Sequence, residues 1–238
     1  MPKTSRYFRR RRSTRFRKRS SRRFVRRRGG RRGRKLPLIQ QKHHFAKLRY
    51  CETTQMSLGG AAALAAFQWR GNSAYDVNPS LLSTSTPGFA EWAAMYYNYR
   101  VMGGNLKVTM MNGHATNPVY FGIYFSNSAS AVSVWSSAIA MKGQNWSRQV
   151  LLSPNNGDSK CMQTLKVYCP FTSLVGEKGM YKNDDNYQAF TTGNPSTLMY
   201  MYVYLASFDG VSNVAAISPM KMEYTMYVDF FAKKPLFG

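Results

Sequence analysis

Residues 222–230 read Met-Glu-Tyr-Thr-Met-Tyr-Val-Asp-Phe, a stretch in which every second side chain is apolar or aromatic. Met, Tyr, Met, Val and Phe occupy one set of alternate positions, and Glu223 and Asp229 lie in the other set. Successive side chains of a β-strand point to opposite faces, so this period of two predicts a strand with one buried and one polar face.

The same period recurs along the chain at residues 106–110, 119–125 and 165–169. Residues 198–208 are apolar at almost every position and predict a strand that is covered on both faces. Residues 45–54, 146–152 and, more weakly, 132–141 bring the predicted strands to eight, with turn-forming pairs such as Asn112-Gly113 between them. This pattern favours an all-β, two-sheet antiparallel sandwich.

One segment has a helical period instead. Phe89, Trp92, Ala93 and Tyr96 are spaced as i, i+3, i+4 and i+7, and residues 86–88, Thr-Pro-Gly, offer a cap and a first-turn proline. We expect a short helix whose apolar stripe packs on the sheet.

The first 35 residues differ from the rest in charge. They contain nineteen Lys or Arg and no acidic residue, and the first carboxylate of the chain belongs to Glu52. The rest of the chain contains the other 15 of the 34 basic residues and all 10 acidic residues. A block of like charge repels itself, so we predict a disordered arm over residues 1–38 and a folded domain over residues 39–238.

The natural partner of this arm is nucleic acid, because guanidinium groups bind phosphate in a bidentate manner and stack on bases. Sixteen of the nineteen basic residues are arginine. The predicted nucleic-acid-binding residues are Arg6, Arg9, Arg10, Arg11, Arg12, Arg15, Arg17, Lys18, Arg19, Arg22, Arg23, Arg26, Arg27, Arg28, Arg31, Arg32, Arg34 and Lys35.

Other residues in and near the arm have two interpretations. The aromatic side chains Tyr7, Phe8, Phe16 and Phe24 either stack on unpaired bases or are incidental hydrophobic residues. Residues 9–12 and 26–28 also match basic clusters that nuclear-import receptors bind. Beyond the arm, Lys42, Lys47 and Arg49 either continue the nucleic-acid surface or form a solvated strand face.

Motifs for catalysis are missing from the sequence. It contains no phosphate-binding loop, H-E-x-x-H, G-x-S-x-G or dinucleotide fingerprint, so we predict no enzyme, no catalytic residues and no cofactor. Asp184 and Asp185 are adjacent, but their polar surroundings favour a solvated loop over a metal site. We expect the three cysteines to be buried free thiols. No apolar run reaches the roughly 18 residues that a spanning helix needs, so no membrane insertion is expected.

Several segments together resemble the capsid proteins of small circular single-stranded DNA viruses of the circovirus type. They are the arginine-rich start, Gly88-Phe89, Glu91-Trp92, Tyr99-Arg100-Val101, Leu106-Lys107-Val108 and the final strand, Tyr224 to Phe230. The resemblance implies a single eight-stranded antiparallel jelly roll, sixty copies of which form an icosahedral T=1 shell around the genome. It also implies assembly in the host nucleus, import receptors and a host attachment factor as partners, and intersubunit contacts through long loops such as residues 71–87.

Two other classes of protein remain open on the sequence. A ribosomal or other RNA-binding β-domain protein can carry a similar basic tail, but such proteins usually spread lysine over the body as well. A nuclease or deaminase would need a metal or carboxylate cluster, and none is visible in the sequence.

Overall fold

The computed structural model describes residues 42–58, 63–81, 85–130, 132–157, 159–211 and 217–235. Its strands are β1 (His43–Ser57), β2 (Leu64–Arg70), β3 (Tyr96–Met111), β4 (Val119–Ser126), β5 (Ser147–Leu152), β6 (Met162–Pro170), β7 (Ala189–Phe190), β8 (Tyr200–Ser207) and β9 (Ile217–Lys233). Its helices are α1 (Phe89–Met95), α2 (Trp135–Ala140), α3 (Phe171–Leu174) and α4 (Lys178–Asn183). Single 3₁₀ turns occur at Pro79–Leu81, Met141–Gly143, Ser159–Cys161 and Asp185–Tyr187.

The strands form two antiparallel sheets, with the orders β1-β9-β3-β6 and β2-β8-β4-β5. The short β7 pairs with the start of β3. If β7 is set aside, the first long strand pairs with the last, the second with the next to last, and so on inward to β4 and β5. This is the strand order of a jelly roll, in which one long antiparallel hairpin is rolled into a two-sheet sandwich. The predicted fold class is therefore confirmed.

The final strand has the predicted two faces. Met222, Tyr224, Met226, Val228 and Phe230 are buried between the sheets, and β9 pairs with β1 on one side and β3 on the other. Its central position explains why its buried residues are among the largest in the chain. The apolar run at 198–208 is likewise a central strand, β8, between β2 and β4.

The core accommodates some of its largest rings by stacking them on glycine. Gly104 on β3 lies directly under the ring of Tyr224, whose hydroxyl donates a hydrogen bond to the carbonyl of Gly71 at 2.6 Å. Gly122 on β4 lies in the same way under Tyr204. A side chain at either glycine would occupy the space of a buried tyrosine ring.

Two strand predictions are wrong. Residues 132–141 were predicted as a weak strand, but they contain α2, and the indole N–H of Trp135 donates to the carbonyl of Ser207 on β8. The segment at 64–70 was missed because its small residues give a weak apolar pattern. It becomes β2 through seven residues of pairing with β8.

The helix near residue 89 forms, but both of its ends differ from the prediction. It ends at Met95, and Tyr96, the last residue of the predicted stripe, begins β3. Its N-cap residue is Gly88 with a φ of +81°, and Thr86 contributes its carbonyl, which accepts from the amide of Phe89. Positive φ favours glycine, which explains this residue at the cap. Trp92 stacks on Phe230 with the ring centroids 5.8 Å apart, so the helix packs on the sheet as expected.

The loop at 71–87 is less available for contacts with other molecules than its length suggests. Its first part, from Asn72 to Asn78, is mostly buried within the domain. The side-chain Nδ2 of Asn72 donates to the carbonyl of Thr197, and Arg70 forms an ion pair with Asp76. Asp184 and Asp185, predicted to lie in a solvated loop, follow the helix α4, and Asp185 begins a single 3₁₀ turn. Within the described part of the chain, no helix is long and apolar enough to cross a bilayer.

Candidate nucleic-acid interface

The outward face of the β1-β9-β3-β6 sheet, called here the outer sheet face, carries the polar half of the alternating pattern. Strand β1 is an edge strand of this sheet and begins at His43, directly after the predicted arm in sequence. Lys47 and Arg49 are exposed on this face, and Lys42 is exposed just before the strand. The first strand of the domain therefore has basic residues on this face.

Basic side chains also face one another between β3 and the edge strand β6. Lys107 on β3 is directly opposite Lys166 on β6 and, on its other side, opposite Glu223 on β9. Like charges in directly opposed positions are unfavourable in a sheet. This arrangement concentrates positive charge on the outer sheet face.

One carboxylate compensates part of this charge. Oε1 of Glu223 lies 3.4 Å from Nζ of Lys107 and 3.2 Å from Nζ of Lys221. Hydrogen bonds from Lys221 and then Lys107 lower the pKa of Glu223 below its ordinary value. Lys166 has no carboxylate within ion-pair distance among the residues that the structure describes, so the local charge stays positive.

Two exposed tyrosines lie beside these lysines. Tyr168 on β6 is 51% exposed and Tyr227 on β9 is 38% exposed. Their rings meet edge to face with centroids 5.9 Å apart, across the intervening strand β3. The close approach is possible because Gly103 lies between them; a Cβ at that position would be 3.2 Å from the hydroxyl of Tyr168. The outer sheet face thus combines exposed aromatic rings with basic side chains.

At one corner of the face a histidine contacts a carboxylate. Nδ1 of His43 lies 3.4 Å from each carboxylate oxygen of Asp229. Burial raises the pKa of Asp229 above its ordinary value, and His43 opposes the shift. Next to it, Arg100 donates to the carbonyls of Lys182 and Asp184. Arg100 therefore anchors the α4 segment to β3, and its side chain is buried there.

The adjacent carboxylates have structural partners. The side chain of Asp184 accepts from the amide of Asn186, and that of Asp185 accepts from the amide group of Gln188. No group of three potential metal ligands occurs in the part of the chain that is described.

Only one of the three cysteines is buried as expected. Cys169 lies in the core, and desolvation raises the pKa of its thiol to about 12. Cys161 is partly exposed and Cys51 is exposed. The expectation was wrong for Cys51 because it occupies an outward position on β1.

The residues predicted to bind nucleic acid, from Arg6 to Lys35, lie outside the described residues, so they stay predictions. Of the body residues considered, Lys47 and Arg49 lie on the outer sheet face. Sequence reasoning missed Lys107, Lys166, Tyr168 and Tyr227 as members of the same surface. Alternation places each of them on the polar face of its own strand, but it does not reveal which strands are neighbours.

No protein-family model matches the chain, and no curated protein matches it in sequence. Solved structures with a similar fold include a Desmodium yellow mottle tymovirus structure, with 12% sequence identity and a TM-score of 0.41 over 84% of this chain and 93% of that one.

Two further similar structures come from other viruses. One is a semi-empty virus-like particle of the giant freshwater prawn Macrobrachium rosenbergii nodavirus, at 9% identity, with a TM-score of 0.48 and coverage of 81% and 95%. The other is the decameric BFDV capsid protein, at 9% identity, with a TM-score of 0.42 and coverage of 79% and 99%. The identities are low, and we assign the jelly roll from the strand order of the chain itself.

Proposed function

We propose that this chain is a structural viral capsid protein of the circovirus type. In this proposal it self-assembles into a small icosahedral shell of sixty subunits and packages circular single-stranded DNA through its N-terminal arginine arm. The virion is its final location, and the host nucleus is where it assembles. The protein acts by binding and assembly, without a chemical reaction.

The observation that carries the proposal is the union of two features in one chain. The body is a jelly roll identified from its strand pairing, and the first 35 residues contain nineteen basic residues and no acidic one. A shell subunit needs a rigid domain to form the wall and a cationic segment to neutralise the enclosed polyanion. This chain has both, and they occupy separate parts of its sequence.

The charge of the arm suits this task in size. Sixty arms of charge +19 would bring on the order of 1,100 positive charges, comparable with a genome of one to a few thousand phosphates. The arm binds phosphate with little choice of sequence, because counterion release depends on charge and not on base identity.

The test is to express the full chain, purify it under native salt and examine it by electron microscopy before and after nuclease digestion. We expect closed particles that protect single-stranded DNA. A monomer that ignores added oligonucleotide would refute the proposal, and cosedimentation with ribosomes would favour the RNA-binding alternative.

A variant with fewer arginines tests the role of the arm separately from that of the body. Changing the arginines at residues 9–12 and 26–28 to glutamine removes seven of the nineteen basic charges while keeping the chain length. We expect particles that protect less DNA and a fluorescent fusion that no longer concentrates in the nucleus. Lys178→Gln, an exposed charge on α4, serves as the control and should change neither result. Unchanged packaging in the arginine variant would count against the arm as the genome-binding element.

A further inference from the structure

A groove opens where the edges of the two sheets meet, beside the outer sheet face. It lies between the start of β5, an edge strand of one sheet, and β6, an edge strand of the other. The lining includes Trp146, Arg148, Lys166 and Tyr168. Its volume of about 370 Å³ falls in the range of small-molecule sites, roughly 300–1,000 Å³.

The backbone at one wall of this groove is unusual. Trp146 has a φ of +62°, in the left-handed region that bulky side chains seldom adopt. Its carbonyl accepts from the amide of Phe125, which extends the contact between β4 and the start of β5. Backbone strain of this kind concentrates at ligand sites, where the surrounding structure maintains it. Trp146 lines the groove together with the basic residues Arg148 and Lys166.

The charge of the groove favours an anion. Arg148 and Lys166 both line it, and none of the described residues that line it is acidic. Lys166 is also opposed across the sheet by Lys107, whose own carboxylate partner is shared with Lys221. An anionic ligand at this edge would relieve the repulsion that the pairing of strands creates.

The aromatic rings specify which kind of anion fits. Tyr168 lines the groove and is half exposed, and it also contacts Tyr227 on the outer sheet face. Exposed aromatic faces beside basic side chains are the recurring design of single-strand binding surfaces, in which bases stack and cations hold the backbone. The bases of a duplex could not stack on these rings, because they are already stacked on one another.

We propose that this groove binds a segment of single-stranded nucleic acid. One base stacks on Tyr168 against the wall formed by Trp146, and Arg148 and Lys166 hold the adjoining phosphates. The strand then continues over the outer sheet face past Tyr227. The proposal rests on the proposed packaging function and adds to it a structured binding site in the body, separate from the arm.

The first test measures affinity of the full chain for a fluorescein-labelled oligothymidine over a range of salt concentrations. Tyr168→Ala should weaken binding about 5- to 100-fold, the loss of one stacked base, with the salt slope unchanged. Tyr168→Phe keeps the ring and should retain binding. Phe208→Ala, which removes an exposed aromatic ring just after β8 of the other sheet, is the control and should have no effect.

Removal of the basic side chains should change the salt dependence of binding, unlike removal of the tyrosine ring. Arg148→Gln combined with Lys166→Gln should make the logarithmic salt slope shallower by about 0.7 for each lost phosphate contact. Glu223→Gln should have the opposite effect and tighten binding, because it removes the carboxylate that neutralises Lys107. Lys178→Gln is the control for a lost surface charge. Equal affinities and slopes in all these variants would overturn the proposal.

Photochemical crosslinking of the full chain to the same oligonucleotide, followed by mass spectrometry, locates the contact. We expect crosslinked peptides that contain Trp146 or Tyr168 in addition to peptides of the arm. Crosslinks confined to the arm would overturn this inference and leave the packaging function standing. The absence of any binding would overturn both.

Discussion

Replacement of Gly104 by alanine should destabilise the domain strongly, although alanine is ordinarily the better residue within a strand. A methyl group built on Gly104 lies 2.5 Å from Cζ of Tyr224 and closer still to its hydroxyl. Tyr224 is fully buried, and its hydroxyl bonds the carbonyl of Gly71 at 2.6 Å. The ring therefore has no free direction in which to move.

The expected cost has two parts. Forcing a methyl group into a packed core costs about 1–3 kcal/mol, and separating the buried hydroxyl from its carbonyl costs about 1–3 kcal/mol more. The total of about 2–6 kcal/mol reverses the gain of about 0.4–1 kcal/mol that glycine-to-alanine changes give at unstrained sites. For a domain of this size the melting temperature should fall by roughly 5–20 °C.

Thermal unfolding followed by near-ultraviolet circular dichroism of the tyrosines measures the change. Both proteins are compared at one concentration, because assembly raises the apparent melting temperature. Gly179→Ala, on α4 with open space around the new methyl group, is the control and should leave stability equal or higher. A melting temperature for Gly104→Ala at or above that of the parent would refute the packing of Tyr224 over β3.

Three further predictions concern buried groups. Iodoacetamide should label Cys51 in the native protein, whereas Cys169 should react only after unfolding because it is buried and its thiol pKa is raised to about 12; peptide mass spectrometry distinguishes the two. The carboxyl of Asp229 should titrate above the ordinary aspartate value by NMR, and His43→Ala should raise its pKa further. Because folding raises that pKa, the protonated carboxyl stabilises the fold at low pH, and this contribution is lost as the pH rises through the folded pKa. The stability of Asp229→Asn relative to the parent should therefore increase over that pH interval. A stability difference that stays constant with pH would contradict the shift. Tyr181→Phe should cost about 1–3 kcal/mol in chemical denaturation, because it leaves a buried carbonyl of β3 without its donor, and an unchanged denaturation midpoint would contradict that role.

The faces of the strands were predictable from local pattern. The alternation at 222–230 correctly placed Tyr224 in the core and Glu223 outside it, because side-chain direction depends only on position within a strand. The failures occurred where the pattern was weak. The small residues of β2 gave no clear period, and the segment around Trp135 folded as a helix with its indole bonded to β8.

The candidate groove could not be predicted in the same way. Lys166 and Tyr168 were visible as polar-face residues of one strand, and Trp146 as the start of another, but nothing local joined them. Their meeting depends on β5 and β6 lying at adjoining edges of the two sheets. The arm remains a prediction from charge, since its residues from Arg6 to Lys35 lie outside the described part of the chain.

The composition and the two-residue hydrophobic period of the sequence were enough to predict a cationic arm, a sandwich of strands and the side of each strand that faces the core. These properties depend on residues that are close together in the sequence. The pairing of Lys107 with Lys166, the contact of Tyr168 with Tyr227 and the fit of a ring over Gly104 needed the folded molecule. They join residues far apart in sequence, and strand order and register are settled by how the whole core packs rather than by any one segment.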